Sequence, residues 1–293
     1  MSRVAVIGPG AMGCLFAAKL ARSGVRVHLV DHNPQRAESL SKTGIHVEEP
    51  DGTLITERVT ATILPPQGMD LVLVMTKAHS TAALKLPPDA PVLTLQNGLG
   101  NVDTLCAMAG SARILAGTSS EAATLLGPGR VRHAARGRSV FGSWTSCPTE
   151  VAYKLLRDAG FGVDLTDTPG QMIWEKAVMN AGINPLTALL DVPNGRLLEI
   201  PDARRLMRDL VTEATKVAAT EGYRFSHSLV EAAEDLCRQT RDNISSMLQD
   251  VRNRKKTEIG AISGEILRRA ELAALSVPRT RVIYQLVRGL ESR

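Results

Sequence analysis

The chain is poor in aromatic residues, poor in cysteine and lacks any long apolar run. Aromatics make up 3% of 293 residues, too few to serve as a stacking platform for nucleic acid. The net charge of +5 is spread along the chain. The one dense cluster, RNRKK at 252–256, falls in a stretch that reads as helix, where a solvated face accounts for it. A mild positive excess also suits an anionic small molecule, so no nucleic-acid partner is expected. The four cysteines (Cys14, Cys106, Cys147 and Cys237) are scattered and form no CxxC pair. That pattern excludes a disulfide framework and a zinc site, predicts no metal, and fits a reducing cytoplasm. No run of 18 apolar residues exists, so no membrane span is expected. The N-terminus, MSRVAVIGPG, opens directly on a strand and has no signal-peptide pattern.

What is present is enough apolar material, 44% of the chain, for two domains of ordinary size. RVAVI (3–7), VRVHLV (25–30), LVLVM (71–75), PVLTL (91–95) and RILAG (113–117) are continuous apolar runs. Such runs belong to strands buried on both faces of a parallel sheet. Helical segments alternate with them, and the first ends near Arg22 with Gly24 as its C-terminal stop. The pattern predicts an N-terminal Rossmann-type, doubly wound α/β domain. Between 121 and 147 the pieces VRHAA and SVFG, set among glycine-rich turns, read as an antiparallel extension. After about residue 166 the texture becomes almost wholly helical: 170–190, 200–222, 226–240, 246–272 and 279–290. The expected division is 1–166 for the dinucleotide-binding domain and 167–293 for an all-helical domain.

GPGAMG follows the first strand and opens a helix, the context a GxGxxG phosphate loop requires. Gly8 permits a tight turn, Gly10 lets the backbone approach a pyrophosphate, and Gly13 allows close helix–strand packing. The helix N-terminus offers unpaired N–H groups to the phosphates. Pro9, Ala11 and Met12 complete the loop. At the end of the second strand Asp31 can accept hydrogen bonds from the ribose hydroxyls of NAD and would repel the 2′-phosphate of NADP. His32, Asn33 and Arg36 follow at once and can hold a phosphate; Asp31 can also cap the next helix. Two further loops, TKAHST (76–81) and QNGLGN (96–101), leave the carboxyl ends of strands, where an open sheet binds its ligand. Lys77 is placed to meet a cofactor phosphate, and Asn97 to meet cofactor or substrate through its amide. Gly98 and Gly100 permit close approach of the backbone to a ligand.

The segment WEKAVMNAGINPL (174–186) sets Lys176, Asn180 and Asn184 four apart among apolar neighbours. Each step of four drifts only about 40° around a helix, so the three form one polar stripe. Pro185 is expected to end or kink that helix. Solvated stripes use Glu, Lys and Arg. Asparagine is a poor helix former, and its amide presents both donor and acceptor to a ligand. A lysine in a closed cleft has a lowered pKa and can donate a proton. The plainer reading is a hydrogen-bond network between helices, with Lys176 reaching solvent.

Taken together, GPGAMG, the Lys77 loop, QNGLGN, WEKAVMNAGINPLTALLDVPNG (174–195) and SSMLQDVRNRKKTEI (245–259) resemble the motif set of ketopantoate reductase (2-dehydropantoate 2-reductase). The resemblance runs from residue 1 to about residue 282. It implies a Rossmann domain and a helical domain with the active site between them. It also implies NADPH-dependent reduction of 2-dehydropantoate to (R)-pantoate, a step in pantothenate and coenzyme A synthesis. On this resemblance Lys176 falls on the family's catalytic lysine, the general acid, and Glu258 on the glutamate near the reacting centre and cofactor. Asn180, Asn184 and Asn194 fall on substrate-binding asparagines, and Ser246 on the serine that holds substrate. Asn97 falls on a residue touching both substrate and cofactor, Lys77 on a cofactor-contacting lysine, and Ala122 near another cofactor contact. Many family members have Arg where this chain has His32 and a neutral residue where it has Asp31, which leaves NADPH and NADH both open.

Ser246 has a second reading, since S-x-x-Q is a capping box. On one continuous helix over 246–272, Ser246 and Glu258 would stand about 120° apart, able to share a ligand only if the helix bends or the ligand sits between their faces. Two other functions fit parts of the pattern: reduction of a different branched 2-oxo acid, and a dinucleotide-binding regulator without turnover. The proton-donating Lys176 argues against the second. A monomer and a homodimer are equally compatible with the sequence.

Overall fold

The computed structural model describes residues 1–292. They form two compact units, one of Met1–Gln96 with Asn101–Gly170, the other of Asn97–Gly100 with the chain from Gln171 onward. The first unit contains, in order, β1 (Arg3–Ile7), α1 (Ala11–Arg22), β2 (Arg26–Val30), α2 (Pro34–Thr43), β3 (Ile45–Glu48), β4 (Leu54–Glu57), β5 (Thr60–Thr62), β6 (Leu71–Val74), β7 (Val92–Thr94), α3 (Asn101–Ala109), β8 (Ile114–Ser119), β9 (Ala122–Gly127), β10 (Arg130–Ala135), β11 (Arg138–Ser143), α4 (Glu150–Asp158) and β12 (Gly162–Leu165). Its large sheet runs β12-β11-β8-β7-β6-β1-β2-β5. The six strands from β5 to β8 are parallel, β11 is antiparallel to β8, and β12 parallel to β11. The apolar runs read from the sequence are its central strands, buried along their whole length at β6 and β7.

A second sheet, β4-β3-β10-β9, departs from expectation. SVFG extends the large sheet as β11, but VRHAA becomes β10 and pairs with β9 and β3 instead. The β3–β4 hairpin turns at Asp51-Gly52, where Gly52 has φ +83°. Helix α1 contacts strands of both sheets, which explains why CLFAAKL is buried on nearly every side. Phe16 stacks on Phe161 at 4.1 Å. The second sheet is tied down by His133 of β10, fully buried between two carboxylates. Its Nε2 lies 2.6 Å from Glu121 and its Nδ1 3.2 Å from Glu49. Glu49 also faces Lys19 and Arg136.

The chain enters the second unit within α5 (Pro169–Leu190), followed by α6 (Arg196–Glu199), α7 (Pro201–Thr220), α8 (Leu229–Gln239), α9 (Ser246–Arg252), a π-helical turn at Gly260–Gly264, α10 (Glu265–Leu272) and α11 (Pro278–Leu290). Helix α5 does not end at Pro185. Proline removes only the N–H that Ala181 would have received, and Ala181 to Ala188 are all buried, so packing holds the helix together across the gap. The single helix expected over 246–272 is broken. Arg254 adopts φ +52° and Lys255 N–H bonds back to the Asp250 carbonyl at 2.8 Å, closing α9. The RNRKK residues are exposed, mostly beyond the helix rather than on its face. No helix among the described residues is long and apolar enough to cross a membrane.

Candidate functional site

In the first unit the site begins where β1 ends. The sheet order places β2 on one side of β1 and β6 on the other, which makes this the switch point where doubly wound sheets bind ligands. Gly8 has φ +108°, and a Cβ there would stand 2.8 Å from Thr76 N and 2.9 Å from Met75 C. The phosphate loop therefore packs directly on the backbone leading to Lys77. A Cβ on Gly13 would lie 1.8 Å from the Gly8 carbonyl oxygen, so only glycine lets α1 start this close to the strand. Gly10 differs: nothing lies within 4 Å of its Cβ position. No side chain caps α1 and no acid sits in its first turn, so Pro9, Gly10, Ala11 and Met12 frame an uncovered, electropositive helix end. These residues fit a dinucleotide pyrophosphate. The loops after β6 and β7 are fixed to each other by Gln96, whose amide donates to Thr76 O (2.8 Å) and Thr81 Oγ1 (2.9 Å). Burial and the charge of Asp31 push the Cys14 thiol up to about 12, so this cysteine in the first turn of α1 stays protonated and inert.

Asp31 does not present an open carboxylate. It is 1% exposed. Its Oδ1 accepts from Arg36 Nη2 at 2.7 Å and from Asn33 N at 3.0 Å, and its Oδ2 accepts from Arg36 Nε. Nor does it cap α2; Asn33 does, accepting from Arg36 N at 3.0 Å. The bidentate Arg36 pair neutralises the acid that the sequence offered as a ribose acceptor. Beside it, His32 has its side chain 91% exposed, and Arg36 is part-exposed. Ala122 starts β9 and is part-buried.

In the second unit, α5 supplies Lys176, Asn180 and Asn184. Trp174, Ala177, Val178 and Ala181 pack into the core, which sets the polar stripe at the core's margin: Lys176 and Asn180 are part-buried, Asn184 buried. Burial around the Lys176 ammonium lowers its pKa from 10.5 to about 8. The charge of Glu258 opposes that shift. Glu258 is itself buried and accepts from Asn97 Nδ2 at 3.4 Å. Lys176, Glu258 and Asn97 thus form one group, drawn from positions 82 and 161 residues apart in sequence. Glu258 is held in place by its neighbour Thr257, whose N–H and hydroxyl both donate to Glu291 (2.8 and 2.6 Å).

A second cluster lies about two to three turns beyond Lys176 along α5. Thr187 donates to the Asn184 carbonyl at 2.9 Å and meets Ser245 Oγ at 2.7 Å. Ser245, not Ser246, caps α9, accepting from Leu248 N at 3.1 Å. The capping box expected at Ser246 is therefore absent, and Ser246 is left exposed at the first helical position. Asn194 donates to Thr240 Oγ1 at 2.9 Å, while its buried Oδ1 has no hydrogen-bond partner among the described residues. A buried carbonyl left so is costly unless a ligand donates to it. Thr187, Ser245 and Arg36 are the members of these clusters that sequence reasoning did not identify in role. Gly98 and Gly100 were expected to admit a ligand; their close neighbours are instead Ala261 and Glu265.

Comparison with known proteins identifies the family. Residues 4–146 fit the family model for ketopantoate reductase PanE/ApbA, and residues 170–291 that for ketopantoate reductase PanE/ApbA C terminal. The chain is 36% identical over 296 residues to the 2-dehydropantoate 2-reductase of Halobacterium salinarum, covering 98% of both. It superposes on the PanE/ApbA family ketopantoate reductase of Ralstonia eutropha JMP134 with TM-score 0.90 and 31% identity, covering 100% of this chain and 99% of that one. It superposes equally well, at TM-score 0.90 with 26% identity and the same coverage, on a D-mandelate dehydrogenase bound to NADH and anilino(oxo)acetate. Two family models that together span most of the sequence, and full-length relatives above 30% identity, establish that the chain belongs to the ketopantoate reductase family.

Proposed function

We propose that the chain is a 2-dehydropantoate 2-reductase that uses NADPH, with Lys176 as the general acid, acting in the cytoplasm in pantothenate and coenzyme A synthesis. The observation that carries this reading is the Lys176–Glu258–Asn97 group in a family whose relatives bear that name. A dihydronicotinamide held by the GPGAMG loop would supply the hydride for the ketone carbon. Negative charge then grows on the ketone oxygen, and the Lys176 ammonium stabilises it and donates the proton. With a pKa of about 8, about nine in ten ammonium groups are protonated at pH 7, yet each is a far stronger acid than an ordinary lysine. Burial supplies the acidity and Glu258 keeps the proton on at neutral pH. Asn180, Asn184, Asn194 and Ser246 orient the substrate's carboxylate and hydroxyl groups. The orphaned Asn194 carbonyl suits a hydroxyl donor.

For the cofactor, the Asp31–Arg36 pair favours NADPH. A carboxylate with both oxygens engaged by a guanidinium and an amide has lost its repulsion for a 2′-phosphate. Arg36, fixed by that pair, and the exposed His32 are the groups left to receive one. Lys77 would meet a phosphate from the neighbouring loop, with Ala122 near the cofactor. The resemblance to a D-mandelate dehydrogenase with NADH supports a second reading, reduction of another 2-oxo acid with NADH.

The test is the oxidation of NADPH and NADH at 340 nm with 2-dehydropantoate and a panel of branched and aromatic 2-oxo acids. The expected result is 2-dehydropantoate-dependent turnover with a higher kcat/KM for NADPH. Arg36→Ala should lower the NADPH value by about 10–100-fold, the worth of a lost charged hydrogen bond, and leave NADH within about two-fold. Asp31→Ala should weaken NADPH use too, because it releases Arg36. Turnover only with another acid, or NADH preference insensitive to Arg36, would replace this reading with the second.

A further inference from the structure

The four residues Asn97–Gly100 pack with the helical unit although the chain on both sides of them belongs to the other, and the packing has a specific form. Gly98 has φ +82°, and a Cβ on it would stand 2.6 Å from the Ala261 carbonyl oxygen and 2.8 Å from its carbon. The next residue, Leu99, donates its N–H to that same oxygen at 2.7 Å and is buried in the helical core. Ala261 lies in the π-helical turn Gly260–Gly264, where Gly264 N–H reaches back five residues to the Ile259 carbonyl at 2.9 Å. The same turn starts from Glu258, whose carbonyl accepts from both Ala261 and Ile262 at 3.0 Å. One short piece of backbone therefore holds two things in register: the loop bearing Asn97 and the residue, Glu258, to which the Asn97 amide donates. Such π turns concentrate at functional sites.

We propose that Gly98 and the π turn form a main-chain latch that holds the Asn97 amide on Glu258, making Gly98 and Ala261 positioning residues for the reduction. The inference rests on the function proposed above. Asn97 can touch Glu258 only while the Gly98 backbone lies flat on the Ala261 carbonyl, and any Cβ at residue 98 lifts it. Gly100 supplies the internal control. It has the same φ of +82°, but a Cβ there meets only the flexible end of the Glu265 side chain, at 3.1–3.3 Å. Both alanine variants bear the left-handed strain; only Gly98→Ala collides with main chain.

The experiment is a double-mutant cycle in the full-length enzyme, with Gly98→Ala, Asn97→Ala, their combination, and Gly100→Ala, read as kcat, KM and NADPH affinity by fluorescence. Gly98→Ala is expected to lower kcat by about 10–100-fold, the effect of a displacement of about an ångström in a catalytic group, with any change in NADPH affinity no larger than that of Asn97→Ala. Gly100→Ala should stay within about three-fold of wild type by the same reasoning. In the Asn97→Ala background Gly98→Ala should add nothing, because the group it positions is gone. Additive losses, or equal losses in Gly98→Ala and Gly100→Ala, would overturn the latch while wild-type turnover stands. Absence of wild-type turnover with every 2-oxo acid would instead sink the proposed function.

Discussion

Replacing Glu258 by Gln removes a charge and keeps the shape, and the consequence can be worked through. Burial pulls the Lys176 pKa down, Glu258 pushes it up, and the balance stands at about 8. An opposite charge at close range is worth about one to three pKa units. Glu258→Gln removes that upward push, so the Lys176 pKa falls further below its ordinary value. At pH 7 the protonated share then drops from about 90% to about half or less, and acidification restores it. The pH profile of kcat/KM, which reports the free enzyme, should therefore keep its basic limb but move it about one to three units to the acid side. The loss at pH 7 should be largely recovered at pH 5.5. The Asn97 contact is altered as well, and that part of the loss has no reason to vary with pH. A limb that stays near pH 8, or a deficit identical at all pH values, would refute the claim that Glu258 sets the acid strength of Lys176.

Lys176→Ala should lower kcat by about 10²–10⁴-fold, the worth of a positioned acid, while NADPH affinity by fluorescence stays within about two-fold; near-normal turnover would remove Lys176 from the acid role. Gly10→Ala should fold with unchanged circular dichroism, since its Cβ meets nothing, yet bind NADPH about 5- to 150-fold more weakly because a methyl occupies the pyrophosphate's approach; unaltered affinity would move the cofactor elsewhere. For His133, burial by itself lowers the pKa, but the hydrogen bonds and charges of Glu121 and Glu49 outweigh it and the net shift is upward. A raised folded pKa contributes stability that is complete below the ordinary 6.5 and fades as pH rises through the folded value. The stability gap between wild type and His133→Gln in urea unfolding should accordingly narrow from pH 6 to pH 9, and a constant gap would contradict the charged-pair account.

The parts of the fold that were legible are those where one local pattern has one structural meaning. Short, β-branched apolar runs such as LVLV read as strands covered on both faces, and they form the centre of the large sheet. Strands β3, β4, β5 and β12 were missed because they are three or four residues long and at most half-buried, so they lack a run to read. The Asp51-Gly52 turn that joins β3 to β4 went unread in the sequence as well. The partner of β10 was not readable at all: its pairing with β3 links residues more than 80 positions apart, and local pattern is silent on which sheet a strand joins.

The site divides the same way. Lys176, Asn180 and Asn184 stood out because a lysine and two asparagines, the latter poor helix formers, form one stripe along an apolar helix, a local contradiction of the kind that marks candidate sites. Arg36 did not stand out as the partner of Asp31, although it is five residues away, because an acid at the end of a second strand has a stronger familiar meaning than an ion pair. The helix over 246–272 is the instructive failure. Neither Gly nor Pro marks its break; Arg254 enters the left-handed region instead, a conformation that an exposed arginine adopts at a cost nothing in the local sequence announces. Once the chain breaks there, the angle of about 120° between Ser246 and Glu258 refers to a helix that does not exist. The orientation of Glu258 is then set by Thr257 on Glu291 and by the π turn beneath Asn97. Both are contacts over distances in sequence at which composition and periodicity hold no information. Lys176 was thus readable from its own helix, whereas Glu258 was named only through the family resemblance, and the contacts that hold it required the folded chain.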